Sequence, residues 1–220
     1  MAIRTIQSDE SLDSVWEELV YTEARLLKDP MTVALAVPIT ALIARTEEVQ
    51  TGQRRAWRDE IVAQAGVDAG NDTLDEVVDE FSEELRHAEG GSVQTPRYRR
   101  YFKQPRNEIV RLALEAELGK VETWPASLAS EPEAELKTLG VRLGHVMSSG
   151  GQALAERVSA AGRRADHRVR QIHLLIDDSN AARLSLYGTL LQVVTEQGRP
   201  RDWPNRFFRK STPSPPRKTA

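Results

Sequence analysis

Thr73-Leu74-Asp75-Glu76-Val77-Val78-Asp79-Glu80-Phe81-Ser82-Glu83-Glu84-Leu85-Arg86-His87 decides the fold class. Leu74, Val77, Val78, Phe81 and Leu85 recur at three and four residues, which places them on one face of a helix. Thr73 and Glu76 read as a capping box at its start, and Gly90-Gly91 as its stop.

The same periodicity extends in both directions. Ser8 to Lys28 reads as a first helix, capped by Ser8, with Leu12, Val15, Trp16, Leu19, Leu26 and Leu27 inward. Met31 to Ala44 is apolar nearly all round and reads as a central buried helix, kinked at Pro38. Gly52 suggests a break, and Gly66 with Gly70 an end. Further on, Pro105 opens a helix to about Leu118, with Ile109, Leu112, Ala113 and Ala116 inward. Ser130-Glu131-Pro132-Glu133 reads as a second capping box. Ser148 to Gly151 reads as a turn. Gln152 to Ile176 is a near-heptad helix through Leu154, Val158, Ala161, Ala165, Val169, Ile172 and Ile176. Asp177 to Asn180 reads as a turn before a last helix, Ala181 to Gln197, with Leu184, Tyr187, Leu190, Leu191 and Val194 inward; Gly198 ends it.

The expectation is an all-α protein: a bundle of about seven helices over residues 1–198, then a flexible basic, Pro-rich tail over 199–220. Two sub-halves, 8–90 and 105–198, would meet through a basic loop, 91–104. Composition agrees with packed helices. Only 5% of the 220 residues are aromatic, so Leu, Val, Ile and Ala must fill the core.

Several function classes fall away. With no cysteine there is no disulfide, thiolate metal site or Cys nucleophile. The apolar run Met31 to Ala44 is shorter than the ~20 residues a membrane span needs, and Met1 to Glu10 has no signal-peptide pattern. A cytoplasmic protein is expected. A net charge of −3 makes the whole chain a poor polyanion binder, so any nucleic-acid role rests on local charge. No Ser-centred elbow, phosphate loop or glycine-rich dinucleotide fingerprint occurs. Glu84 and His87 form half of a helical di-iron motif, but arginine stands at the matching place before His145, His167 and His173. The chain therefore reads as non-enzymatic, with no cofactor, catalytic residue or metal ligand.

Two segments are candidates for partner or anion binding. In the first, Arg97, Arg99, Arg100, Lys103 and Arg106 interleave with Tyr98, Tyr101 and Phe102. Bases neutralise phosphates and aromatics stack on nucleobases. The competing reading is an internal clamp, the bases pairing with the acidic helix at Asp75 to Glu84. Because Arg supplies 24 of the 30 Lys and Arg residues, an Arg cluster here is weaker evidence for phosphate recognition. The second segment sets Trp203, Phe207 and Phe208 among Arg206, Arg209 and Lys210, a pattern suited to an apolar groove, nucleic acid or an anionic membrane surface. The function expected is association, by self-assembly or with a protein partner, as an adaptor, assembly component or regulator. The near-heptad helix and its successor, Gln152 to Gln197, are the expected surface. The alternative is a nucleic-acid-binding regulator using segment 96–106 and the tail.

Overall fold

The computed structural model describes residues 3–209. All regular structure in them is helical, with no strand. The helices are α1 (Leu12–Leu27), α2 (Val37–Ala88), α3 (Pro96–Tyr101), α4 (Arg106–Ile109), α5 (Leu114–Val121), α6 (Trp124–Leu128), α7 (Ala134–His167) and α8 (Leu174–Gln197). Among the described residues five of these have eight residues or more, where the sequence suggested about seven in all. Expected breaks are helical instead, and two long helices absorb several short ones.

Expected cap and turn residues within α2, α7 and α8 serve as helix interior. Thr73 caps nothing; its hydroxyl donates to Ala69 O at 2.8 Å within α2. Gly70 lies where a Cβ would stand 3.3 Å from Leu114 Cδ2 and 3.7 Å from Gly150 Cα. Gly150, expected in a turn, is buried inside α7. Two glycines thus let α2 and α7 approach closely, which offsets the roughly 1 kcal/mol each costs a helix. Gly52 likewise does not break α2; a Cβ there would meet the His167 ring at 2.6 Å. Pro38 is the second residue of α2, where the absent N–H breaks no helical bond, so it starts the helix rather than kinking it. The run from Met31 is not buried all round: Val37 is 70% exposed while Ala36 and Ile39 are buried. Ser11, not Ser8, caps α1, accepting from Ser14 N at 3.1 Å. The helix expected from Pro105 is interrupted after Ile109 and restarts at Leu114.

The chain divides into two compact units. Unit 1 comprises residues up to Ala56 and from Arg164 onward; unit 2 is Trp57–Arg163. The basic segment 91–104 falls inside unit 2.

In unit 1, α1 and α8 share a core through Val15, Leu19, Leu175, Ile176 and Leu190. A π-helical turn, Arg168–His173, leads from α7 into α8. The expected turn at Asp177 to Asn180 is helical, and two of its polar side chains bond elsewhere. Asp178 pairs with Arg45. Asn180 accepts from Ile6 N and donates to Ile6 O, both at 2.9 Å, and so pins the N-terminal segment. The inward face of α8 is also displaced from the expected one: Leu184 is 65% exposed, and Arg183 is buried. Gly198, left-handed at φ 63°, ends α8, with Arg199 N bonded to Val194 O.

In unit 2, Leu74, Val77, Val78, Phe81 and Leu85 line up inward on α2 against Leu128, Leu136 and Leu143. Gly90 and Gly91, at φ 67° and 90°, follow the end of α2.

Candidate functional site

Both candidate segments begin as short helices pinned by aromatics. In unit 2, Thr95 caps α3 by accepting from Tyr98 N at 3.2 Å. One turn of helix then points Tyr98 and Tyr101 to the same side, and Phe102 follows them. All three are buried. Tyr98 stacks on Phe102 with ring centroids 4.8 Å apart, and Phe81 and Trp124 complete the cluster. The Tyr98 and Ser82 hydroxyls share a hydrogen bond of 2.7 Å. These rings fill the core and present no face to a ligand.

The bases of this segment divide. Arg97 donates to Glu131 at 2.7 and 3.0 Å, to Glu133 at 2.9 Å and to Glu89 at 3.2 Å. Arg100 also pairs with Glu131 and lies 4.8 Å from the Tyr101 ring centroid. Tyr101 donates to Glu131 at 2.6 Å. Burial raises the proton affinity of Glu131, but the Tyr101 hydroxyl and the two arginines outweigh it and hold its carboxyl below the ordinary range. Burial and the same carboxylate push the Tyr101 phenol up to about 12. Glu131 and Glu133, expected to cap α7, therefore hold α3 down instead. From the acidic stretch on α2, Asp79 pairs with this segment, through Arg106. Arg99 bonds Gln94, and Arg99, Arg100 and Lys103 remain exposed.

In unit 1 the C-terminal segment closes on α1 and α8. Trp203, Phe207 and Phe208 are buried, with Trp203 and Phe207 ring centroids 4.8 Å apart. Arg25 donates to Arg206 O at 3.0 Å, and Arg209 pairs with Glu17. The Arg206 side chain is exposed. Lys210, with the Pro-rich stretch that follows, lies outside the described residues.

Two charged cores escape the periodicity reading. In unit 1, Glu18 is 1% exposed and accepts from Arg4 and Arg183, each at 3.0 Å. Arg183 is itself 1% exposed, and its Nε and Nη1 have no hydrogen-bond partner among the described residues. In unit 2, Glu117 of α5 is fully buried and faces Asp75 and Asp79 of α2. Among the described residues neither of its carboxylate oxygens has a hydrogen-bond partner. Burial first, then the Asp75 charge, pushes the Glu117 carboxyl up to about 8. The sequence carries a signal for both: an ionisable residue in an inward stripe, Glu18 between Val15 and Leu19, and Glu117 between Leu114 and Val121.

Each unit also has a shallow groove. That of unit 2, about 570 Å³, runs past Asp68, Asn71, Arg111, Glu115 and Arg157. That of unit 1, about 380 Å³, lies among Asp9, Asp13, Gln53, Arg54 and Arg168. Both carry charges of either sign. Among the described residues no three His, Asp or Glu side chains are arranged to hold a metal ion, and no helix is long and apolar enough to cross a membrane.

The expected association surface is split. Leu154 is half-buried, and Ile172 and Ile176 are buried, whereas Val158 and Val169 are 73% and 59% exposed. On α2, Trp57, Ile61 and Val62 are exposed by more than half. No protein-family model, curated protein or solved structure matches the chain.

Proposed function

We propose that the chain is a non-enzymatic helical protein that works by association, as an adaptor, assembly component or regulator. The supporting observation is the apolar surface left open on the long helices: Val158 on α7, and Trp57, Ile61 and Val62 on α2. A helix exposes a large apolar residue singly without consequence, but three within six residues of one turn-and-a-half favour a covering partner. The burial of Tyr98, Tyr101 and Phe102 weighs in the same direction, because it removes the aromatic half of a single-strand grip.

Photo-crosslinking in the native host tests this reading. A photoreactive residue at position 57 or 158 is expected to join the chain to discrete protein bands; one at the exposed, polar position of Lys137 is not. Equal labelling at all three positions counts against association through these faces. Retention on DNA or RNA that falls steeply with salt would favour the nucleic-acid reading instead.

A further inference from the structure

The exposed face of α2 in unit 2 has an internal symmetry. Arg58, Ile61, Ala65 and Asp68 follow one another at three, four and three residues, so they form one stripe along the helix. All four are exposed, and Trp57 and Ala69 flank them, exposed as well. The buried face is a different one, marked by Val67 and Leu74.

Read from its middle, position 63, the stripe is complementary to its own reverse. A second helix running antiparallel, centred at the same position, sets Arg58 against Asp68 and Ile61 against Ala65. Trp57 then falls against Ala69. Each large side chain meets a small one, and each charge meets its opposite. A parallel copy would instead stack Arg58 on Arg58 and Asp68 on Asp68, which is repulsive. Arg58 makes no ion pair among the described residues; Asp68 accepts only from Gln64 of its own helix, at 2.7 Å. Trp57 and Ile61, 53% and 54% exposed, supply the apolar area that such a pairing covers.

We infer that the partner for this face is a second copy of the chain, bound antiparallel along α2 over residues 57–69 as a two-fold symmetric dimer. In a two-fold interface each contact occurs twice, so Arg58 meets Asp68 at both ends. The inference rests on the association reading and names its partner.

The test uses the full chain and its lack of cysteine. By sedimentation at micromolar concentrations, the wild type is expected to dimerise. Arg58→Asp or Asp68→Arg alone places like charges opposite each other twice and is expected to weaken dimerisation more than tenfold. The double variant, carrying both reversals, is expected to regain it. These positions are exposed, and circular dichroism melting verifies that each variant remains folded. As an independent measurement, chains with Arg58→Cys are mixed with chains carrying Asp68→Cys under mild oxidation. The mixture is expected to form a disulfide-linked heterodimer, and neither variant alone to link efficiently. Efficient self-linking of the Arg58→Cys chain would mean parallel pairing and overturn the inference. So would a wild type that stays monomeric at 100 μM, or a double variant as weak as the single ones. A monomeric wild type that still crosslinks to another protein at position 57 sinks the self-pairing alone; a monomer that crosslinks to nothing sinks the association reading with it.

Discussion

Glu18 in unit 1 and Glu117 in unit 2 are both closed off from solvent, yet their surroundings are opposite. Glu18 meets two guanidinium groups, from Arg4 and Arg183. Glu117 meets two carboxylates and makes no ion pair with a base among the described residues; Asp79, one of the two, pairs with Arg106. A buried carboxyl settles its charge by what faces it. With cations opposite, it forms a buried ion pair. With acids opposite, the lower-energy answer is to keep its proton. Glu131 offers a third case within unit 2, nearly as buried as the others and held ionised by Arg97, Arg100 and the Tyr101 hydroxyl.

The contrast can be broken most forcefully at Glu18. Glu18→Ala leaves Arg183 buried without an anion and should destabilise unit 1 by about 3–5 kcal/mol, read from urea unfolding. Replacing both partners, as Glu18→Leu with Arg183→Met, should recover most of that loss, because two apolar side chains of similar size leave no charge stranded.

Glu131→Ala comes next, at about 2–3 kcal/mol, because it strands the Tyr101 hydroxyl beside the aromatic core and leaves Arg97 with Glu133 and Glu89 alone. The pH profile sharpens the point. With its folded-state value lowered, Glu131 contributes stability that is full above the ordinary carboxyl range near 4.5 and is lost as pH falls through the lowered value. Glu131→Gln should flatten that acid limb in thermal melts.

Glu117→Gln should act in the opposite direction. Its folded-state value is raised from 4.5 to about 8, so between these limits native Glu117 holds a proton that the unfolded chain has released. Stability should therefore fall as pH rises through this window. A glutamine offers the Asp75 carboxylate a permanent donor and should remove that slope, leaving the variant about 1–2 kcal/mol more stable above pH 8. A steeper alkaline loss in the variant would contradict the protonated assignment.

The smallest change is expected where the pair is exposed. Arg170 and Asp166 bond at 2.7 Å one helical turn apart, with both side chains more than half open to solvent. Arg170→Ala should cost less than about 0.5 kcal/mol in the same unfolding assay. A loss as large as that from Glu18→Ala would mean that burial is not what separates the cases.

The helical character was legible, and so were particular faces. The stripe from Leu74 to Leu85 is buried throughout, and Val15, Leu19 and Leu26 point inward as their spacing indicates. Boundaries were less legible. Gly70 and Gly150 carry breaker chemistry, but each lacks a Cβ where another backbone or side chain comes close, and close packing offsets their poor propensity. The surroundings of the candidate segments were hard to read for a related reason. Tyr98, Tyr101 and Phe102 have the same composition whether they stack on a base or on Phe81 and Trp124. Glu131 and Glu133 have the same spacing whether they cap α7 or hold Arg97.

By itself, then, the sequence determined what depends on neighbours along the chain: the helical period, its inward stripes, and the stops at Gly90-Gly91 and Gly198. Tertiary structure decided what depends on groups far apart in sequence. It brought Arg183 across 165 positions to Glu18, set Glu117 against Asp75, and turned the aromatics of residues 98–102 and 203–208 inward. The physical reason is that propensity acts within a few residues, whereas the cost of burying a charge or a ring is set by whatever else occupies the same volume.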